Sequence, residues 1–590
     1  MVINHLDAQA IHSAFLMACD SIISNRENLN AINLFPVADG DTGDNMSATA
    51  LAVINNSSVK TTMDETLHSL ANSALVGARG NSGMIFSQFF NGLTETKLTS
   101  EQIDTATFSR LISNASQSVR SAILHPVEGT IITVIDAWSK SISTTAHKLT
   151  GFKELIDHSL PEVEQALQST ATTLPVLKEA QVVDAGALGF YHFIRGFAEY
   201  LTNPRMIDKN HHHEESCHPH HDIPEAGEPP QQRYCTEITL TGESLDRAAV
   251  AIQIEQYGDS VVSSGNSSLC RFHVHCTKPS VVFESLFTSG TITQAKAQDM
   301  LRQFQMIHQR KYPIALVTDS SADLPQDLLD AHQVHIIQLN IHLDGHNLLD
   351  RICLNQDTFY DHLSELKTYP KTSFPSPALL EEQLKHLSEH YDDVLVLPIS
   401  QGLSGTHDAI VKAAEQASNI HVINSNQTSG GLGLLVSFAA RLIASGMPIE
   451  EIKQELTLKI PKVGFYVYVE NFESLIRSGR VSKFSGKIAQ LAHIKPIIHI
   501  DNTGKASMFD KAFSETKALA KIVSHVQSIR QNHTLESYGL VHAGAPEKVM
   551  QFAQLTTEAF GQPPAFVESV STAIGLHAGK GCIALASMMK

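Results

Sequence analysis

The chain changes its hydrophobic period partway along, and that limits its fold more than any other feature. Up to about residue 203 apolar residues recur at three- and four-residue steps, as in Ile11-Ala14-Phe15-Ala18, Leu67-Leu70-Ala74-Leu75 and Phe190-Phe193-Ile194-Phe197, the period of helices with one buried face. Beyond about residue 311 short β-branched runs alternate with helical stretches: Ile314-Ala315-Leu316-Val317-Thr318, Val394-Leu395-Val396-Leu397 and His421-Val422-Ile423. One core does not serve both periods, and 590 residues exceed what one core holds. We read a multidomain chain: an all-α domain at 1–203, a linker at 204–232, a small α/β domain at 233–310 and an α/β domain with a mostly parallel sheet at 311–590.

The linker assignment rests on composition. His211-His212-His213-Glu214-Glu215-Ser216-Cys217-His218-Pro219-His220-His221-Asp222, followed by Pro224, Pro229 and Pro230, offers nothing apolar to fix a geometry. Adventitious nickel or zinc binding is expected there, not a functional site.

In the helical part, Asp39-Gly40-Asp41-Thr42-Gly43-Asp44-Asn45 follows the loop-like Asn33-Leu34-Phe35-Pro36 and precedes a helical pattern. Two carboxylates one glycine apart suit Mg²⁺, which takes hard oxygen ligands and shares its remaining positions with water and substrate phosphates. The glycines let backbone amides turn toward a phosphate, and the helix that follows adds the positive end of its dipole. Taken alone, such a stretch reads more readily as a surface turn. However, Gly77-Ala78-Arg79-Gly80-Asn81-Ser82-Gly83 makes a second glycine-rich helix start, and Glu128-Gly129-Thr130 and Val183-Asp184-Ala185-Gly186-Ala187-Leu188-Gly189 make two more. Repeated polar loops opening helices suggest several anchor points on one polyphosphate.

These motifs, in this order over about residues 1–200, resemble the L-type ATP-binding domain of dihydroxyacetone kinases, a helical barrel, and are closer still to the kinase subunit of bacterial fatty acid kinase. The resemblance implies that Asp39 and Asp41, with Asn33 as a third polar ligand, hold Mg²⁺ on the ATP phosphates. It implies that Thr42, Asn45 and Ser82 contact phosphate, while Gly80, Gly129, Thr130 and Asp184 shape the nucleotide pocket. The only tryptophan, Trp138, lies about two turns beyond Thr130, and we expect it near that pocket.

The middle part reads as a strand at Tyr234 to Leu240, a helix near Leu245 to Tyr257, and strands around Ser260 to Ser264 and Leu269 to Cys276. His273 and His275, two apart in a strand, share a face. A His-x-His of this kind is usually an ordinary polar face, yet a thiolate at Cys235 and two imidazoles are zinc ligands by type. The surroundings Tyr-Cys-Thr-Glu and His-Val-His-Cys are similar to the middle domain of the fatty acid kinase subunit, which implies a metal site at Cys235, His273 and His275, with Zn²⁺ the expected ion. Cys270 and Cys276 fall out of phase with the histidines.

In the last third the strands end in polar clusters, Asp319-Ser320-Ser321, Ser400-Gln401-Gly402-Leu403-Ser404-Gly405-Thr406 and Asn424-Ser425-Asn426. Ligands of open α/β sheets bind beyond the carboxyl ends of the strands, so a site is expected there. Thr318-Asp319-Ser320-Ser321-Ala322-Asp323-Leu324-Pro325, Thr372-Ser373-Phe374-Pro375-Ser376-Pro377, Leu403-Ser404-Gly405-Thr406, and Ser478-Gly479-Arg480 with Ile494-Lys495-Pro496 resemble the DegV family of fatty-acid-binding proteins over about residues 312–590. The resemblance implies that Thr372, Ser404, Arg480 and His577 meet a fatty acid carboxylate, with Arg480 and His577 also acting in catalysis. His577-Ala578-Gly579-Lys580-Gly581 departs from the family's His-x-Gly-Pro-Gly, and Phe509-Asp510-Lys511-Ala512-Phe513 from its arginine-rich strand end. Burying a tail of about sixteen carbons, at roughly 0.8 kcal/mol per methylene, is worth on the order of 12 kcal/mol before ordering costs and calls for an aliphatic tunnel.

The two resemblances together imply a kinase that passes the ATP γ-phosphate to a bound long-chain fatty acid, giving acyl phosphate and ADP. A dihydroxyacetone kinase-like enzyme is the alternative, though no stretch resembles the separate K-type domain such enzymes use; a non-catalytic lipid and ATP sensor is another. The formal charge of −18 argues against a nucleic acid partner, which needs a basic face. No opening stretch pairs a basic n-region with an apolar h-region, and the most apolar helical stretch, Gly430 to Met447, carries Arg441. Seven scattered cysteines fit reduced thiols. We expect a cytoplasmic enzyme, not integral to a membrane though in transient contact with one for lipid exchange, and a homodimer by family resemblance.

Overall fold

The structure, a computed structural model, describes residues 3–35, 40–204, 229–356, 359–360, 368–470, 473–477 and 494–590. It divides into two compact units, Met1–Thr277 with Ser285–Leu301, and Lys278–Glu284 with Arg302–Lys590.

The first unit opens with helices whose starts are set by short polar caps. Asp7 accepts the Ala10 N–H at 2.8 Å ahead of Ala8–Ile23, Asp104 accepts the Thr107 N–H at 2.8 Å ahead of Thr105–Ala122, and Thr62 and Glu65 form a capping box before Met63–Gly77. Helices that follow one another pack side by side. The chain of contacts runs through Thr42–Asn56, Met63–Gly77, Gly80–Gly92, Thr105–Ala122, Ile131–Thr145, Phe152–Thr173 and Ala185–Thr202, then returns through Ala8–Ile23 to Thr42–Asn56. This closed ring of helices is filled by Phe15, Phe86, Phe89, Phe90, Phe108, Trp138, Phe190, Phe193 and Phe197, all at most 1% exposed. Their rings meet mostly edge to face at centroid distances such as 5.0 Å for Phe89 and Phe190.

The same unit carries an antiparallel sheet in the order Asp259–Gly265, Leu269–Cys276, Tyr234–Thr241, Thr291–Asp299. Strand Asp259–Gly265 is fastened to helix Gly80–Gly92: Asn91 Nδ2 donates to Gly265 O at 2.8 Å, the Gly265 N–H donates to Gln88 Oε1 at 3.0 Å, and the Ser87 and Ser264 hydroxyls lie 3.1 Å apart. Strand Thr291–Asp299 was not expected from the sequence; it pairs along the whole of Tyr234–Thr241.

The second unit has the expected parallel sheet, in the order Ile420–Val422, Asp393–Leu397, Ile314–Asp319, His335–Ile337. Beside it stands a six-stranded sheet that the sequence pattern did not announce: Ala506–Ala512, Lys495–Ile500, Val463–Tyr468, Ile583–Met589, Leu535–His542, Phe566–Ser569. It is antiparallel except for its last pair. A small sheet joins His346–Leu349, Asn340–Leu343 and Lys371–Ser373. Helix Ser429–Ala444, the most apolar stretch, packs between the larger sheets, with Leu432, Leu435 and Val436 fully buried. Among the described residues no helix is long and apolar enough to cross a membrane.

Candidate functional site

Short links force neighbouring helices of the ring to run antiparallel, so Thr42–Asn56, Gly80–Gly92, Ile131–Thr145 and Ala185–Thr202 all begin on one rim. Close approaches confirm it. The Asn45 amide lies against the Cα of Gly80, where a Cβ would come within 2.2 Å of Asn45 Nδ2; a Cβ on Gly186 would meet Ile131, and one on Gly189 would meet Met46. Four helix N-termini thus converge, each with the positive end of a dipole. These are the four loops singled out from the sequence.

Within the rim, Asp39 lies outside the described residues. Asp41 stands at the N-cap of Thr42–Asn56 without using its side chain as the cap. Asn33 is buried, and its Oδ1 accepts the Thr42 hydroxyl at 2.8 Å. Thr42 is therefore occupied within the protein, and its hydroxyl orients Asn33. Asn33 and Asp41 carry oxygens of the hard type that Mg²⁺ takes. Gly80 takes φ +56°, and Gly129 takes φ +84° with its N–H donating to Thr133 Oγ1 at 2.8 Å. The Thr130 hydroxyl donates back to Val127 O at 2.8 Å, so it closes its own loop. Ser82 is half-buried in the first turn of Gly80–Gly92.

Asp184 ties two of these starts together. Its carboxylate caps its own helix through the Ala187 N–H at 2.8 Å and also accepts the Ile131 N–H, while burial pushes its pKa up to about 7. Trp138 faces the aromatic core, not the rim, with its ring against Phe89, Phe108, Phe190 and Phe197.

On the sheet of this unit, the ligand atoms of Cys235, His273 and His275 lie within 4.8 Å of one another. Cys235 Sγ is 3.8 Å from His273 Nδ1. Burial holds both imidazoles below the usual histidine range, furthest for His273, with the neighbouring His275 as a second cause. Neutral imidazoles are what a metal requires. Among the described residues His273 Nε2 is buried with no hydrogen-bond partner, which fits a cluster built for an ion. Cys276 turns to Thr236 Oγ1 at 3.5 Å and Cys270 to Asn266 O at 3.0 Å, and neither belongs to the cluster.

In the second unit a cleft of about 180 Å³ is lined by Leu339, Thr372, Ser373, Phe374, Ser404, Gly405 and Thr406. Thr372 and Ser404, two of the residues singled out from the sequence, meet here. Ser404 Oγ lies 2.7 Å from Thr406 Oγ1, and helix Thr406–Ala414 starts at the cleft with its positive end. Arg480 lies outside the described residues. His577, in the last turn of Thr572–Ala578, is not among the lining residues; Tyr369, three residues before Thr372, donates to the carbonyl of its neighbour Leu576. The polar clusters at the other strand ends are consumed internally. Asp319 accepts the N–H groups of Ser321 at 2.9 Å and Ile399 at 2.6 Å, Ser400 donates to Gly504 O at 2.7 Å, and Ser425 donates to Pro398 O at 2.6 Å. They bind the fold together, whereas Thr372 and Ser404 line the cleft. The cleft is below the roughly 300 Å³ at which pockets for whole ligands begin, so by itself it has room for a group the size of a carboxylate with a few methylenes, less than a sixteen-carbon tail needs.

Sequence reasoning missed Ser373, Phe374, Thr406 and Leu339 as lining residues, although the first three stand in motifs already quoted. It also missed Glu237 and Arg271, which face the ring from the sheet. Their period-2 spacing with Cys235 and His273 was the available signal.

Three family models match the chain: the DAK2 domain at residues 36–199, the FakA-like middle domain of fatty acid kinase at 231–307, and the uncharacterised DegV family at 313–590. A DegV domain-containing protein of Staphylococcus aureus (strain COL) is 27% identical over 276 residues, 47% of this chain and 98% of its own length. Protein YloV of Bacillus subtilis (strain 168) is 30% identical over 325 residues, 52% of this chain and 58% of its own. Similar solved structures include a fatty acid binding DegV family protein from Streptococcus agalactiae, 30% identical, covering 47% of this chain and 99% of that one with a TM-score of 0.44. Another is DegV, a fatty acid binding protein from Bacillus subtilis, 27% identical, covering 48% of this chain and 100% of that one with a TM-score of 0.44.

Proposed function

In a chain that fuses a DAK2 domain, a FakA-like middle domain and a DegV domain, we propose that the ATP γ-phosphate is transferred to the carboxylate of a bound long-chain fatty acid. The presence of all three domains in one polypeptide carries this reading. The convergence of four helix N-termini on one rim supports its nucleotide half. The hydroxyl-lined cleft at Thr372 and Ser404 supports its carboxylate half.

In the reaction a carboxylate oxygen attacks the γ-phosphorus, the bond to the β,γ-bridging oxygen breaks, and ADP leaves. The nucleophile is already ionised, so no base is needed, and the protein's task is positioning and charge neutralisation. Asp39, Asp41 and Asn33 would hold Mg²⁺, which supplies charge neutralisation on the phosphates when bound. Asn45 and Ser82 hold phosphate oxygens, while Gly80, Gly129, Thr130 and Asp184 set the walls of the pocket. Thr42 fixes the orientation of Asn33. Thr372 and Ser404 donate to the carboxylate, and Arg480 and His577 complete its surroundings. Cys235, His273 and His275 would hold Zn²⁺ with a fourth position left over.

The test is ATP turnover by the purified chain with oleate or palmitate, with the acyl phosphate trapped by hydroxylamine as a hydroxamate. Acid-dependent ADP release together with hydroxamate supports the reading. Turnover with dihydroxyacetone in place of acid, or no turnover alongside tight ATP binding, overturns it. Mass spectrometry of the lipid retained on the purified chain separately tests whether a long acyl tail is held at all.

A further inference from the structure

Two side chains of the sheet grip the link between helices Met63–Gly77 and Gly80–Gly92. At its near end Arg271 Nη1 donates to Leu75 O at 3.0 Å and Val76 O at 2.9 Å. At its far end the Gly80 N–H donates to Glu237 Oε1 at 2.8 Å. Glu237 and Arg271 face each other at 3.6 Å, and their side chains are 9% and 8% exposed. The bonded Gly80 amide is the first of its helix, and Gly80 is also the residue against which the Asn45 amide packs.

The grip and the metal cluster share their strands. In the pairing of Tyr234–Thr241 with Leu269–Cys276, Cys235 stands opposite His275 and Glu237 opposite His273. Alternation along a strand puts Cys235 and Glu237 on one face with Arg271, His273 and His275. Bonds from Cys235 and from both histidines to one ion would lock the two strands at the rungs that carry Glu237. A continuous series of contacts then leads from the cluster through Glu237 to Gly80 and on to Asn45.

We propose that Glu237 is a positioning residue that makes nucleotide affinity at the helical rim depend on metal occupancy at Cys235, His273 and His275. The inference rests on the nucleotide-binding reading above and adds that the metal acts on it through a single carboxylate. Glu237 touches neither phosphate nor metal; it sets where Gly80 and Asn45 stand. Linkage makes the effect reciprocal, so bound nucleotide tightens the metal by the same factor.

The test uses the full chain, zinc-loaded or dialysed against chelator, titrated calorimetrically with a non-hydrolysable ATP analogue and Mg²⁺. The wild type is expected to bind the analogue at least about fivefold more weakly without zinc, the lower end of typical couplings between sites. In Glu237→Ala that ratio falls toward one, because the contact that transmits it is gone. Glu237→Gln keeps an acceptor for the Gly80 N–H and restores most of the zinc dependence. Hydrogen exchange over residues 77–83 gives a second readout: zinc slows it in the wild type and leaves it unchanged in Glu237→Ala.

A carboxylate that merely stapled sheet to ring would lower stability in Glu237→Ala while leaving the zinc ratio intact, and that result overturns the proposal. Tight analogue binding that ignores zinc in the wild type sinks the coupling alone. A zinc-loaded chain that takes up no analogue sinks the nucleotide reading with it. Should Glu237→Ala fail to fold, Glu237→Gln and the exchange measurement on the wild type decide: zinc-independent exchange at 77–83 refutes the coupling.

Discussion

Asp323 and Ser571 are 248 positions apart in the chain, and the Asp323 carboxylate accepts the Ser571 backbone N–H at 2.8 Å. The same carboxylate takes the Ser429 hydroxyl and pairs with Arg351. It is fully buried, and burial pushes its pKa up to about 6 against the opposing pull of Arg351. Through it the helix carrying His577 is docked beyond the end of strand Ile314–Asp319.

Replacing Asp323 with Ala leaves the Ser571 amide buried without its acceptor and the half-buried Arg351 without its carboxylate, held by the Ser320 and Ala322 carbonyls. The expected loss is about 3 kcal/mol or more, the range for breaking a buried ion pair from one side. Urea unfolding of the second unit, followed by tyrosine circular dichroism, measures it. Asp323→Asn, which keeps an acceptor, should lose clearly less.

Asp184 predicts an unusual pH dependence. Its folded pKa of about 7 lies above the unfolded value of about 3.9, so the folded state holds the proton more tightly. Its contribution to stability is therefore complete below about pH 4 and lost as pH rises toward 7, with a limiting slope of about 1.4 kcal/mol per pH unit. Asp184→Asn keeps the cap and removes the titration. The melting temperature of the variant relative to wild type should climb between about pH 4 and 7 and level off above, whereas a flat difference would show that the carboxyl is not shifted.

Thr42→Val removes the hydroxyl that orients Asn33. A stability loss of about 1 kcal/mol is expected for one neutral hydrogen bond. The larger effect should be on MgATP affinity, weakened about tenfold, or 1.4 kcal/mol. Thr42→Ser should behave as wild type. Unchanged affinity in the valine variant would remove Asn33 and Thr42 from the site.

Cys235→Ser or His273→Ala should lower bound zinc from about one ion per chain, as expected of a single cluster, to near zero in elemental analysis. Zinc retained in both variants would locate the metal elsewhere, with the histidine-rich segment the first place to look.

Trp138 was expected from the sequence to report nucleotide binding, and its place in the aromatic core changes that. At 0% exposure, with an indole N–H that has no hydrogen-bond partner among the described residues, it should emit at short wavelength and resist acrylamide quenching. MgATP should leave its spectrum nearly unchanged, and unfolding of the first unit should shift it strongly to the red. A large nucleotide-linked shift would mean that the ring rearranges on binding.

Local chemistry made much of this molecule readable in advance. Helical periodicity around Phe190, Phe193 and Phe197 marks a helix that buries one face wherever it is placed, and the glycine-rich starts at Gly40 and Gly80 need backbone freedom that follows from residue type. The alternation of His273 and His275 with their neighbours already put them on one face. Strand Thr291–Asp299 and the six-stranded sheet were harder to see, because pairing partners such as Val463 and Met588 are chosen by long-range packing. The hydroxyls of Ser400 and Ser425 stand in strand-end clusters where a site was expected and donate to buried carbonyls, because a short polar side chain has the same sequence signature whether it meets a ligand or a backbone oxygen.

The sequence by itself determined the helical character of the first part and the strand–helix alternation of the last, which residues carry oxygen, nitrogen and sulfur ligands, and which domain families are joined, since these follow from periodicity and motif. Only the tertiary structure decided that four distant loops share one rim, that Glu237 reaches Gly80 from 157 positions away, and that Asp184 serves two helices at once. Those relationships depend on how buried faces close against one another, a property of the whole packed ring and sheet that no local stretch contains.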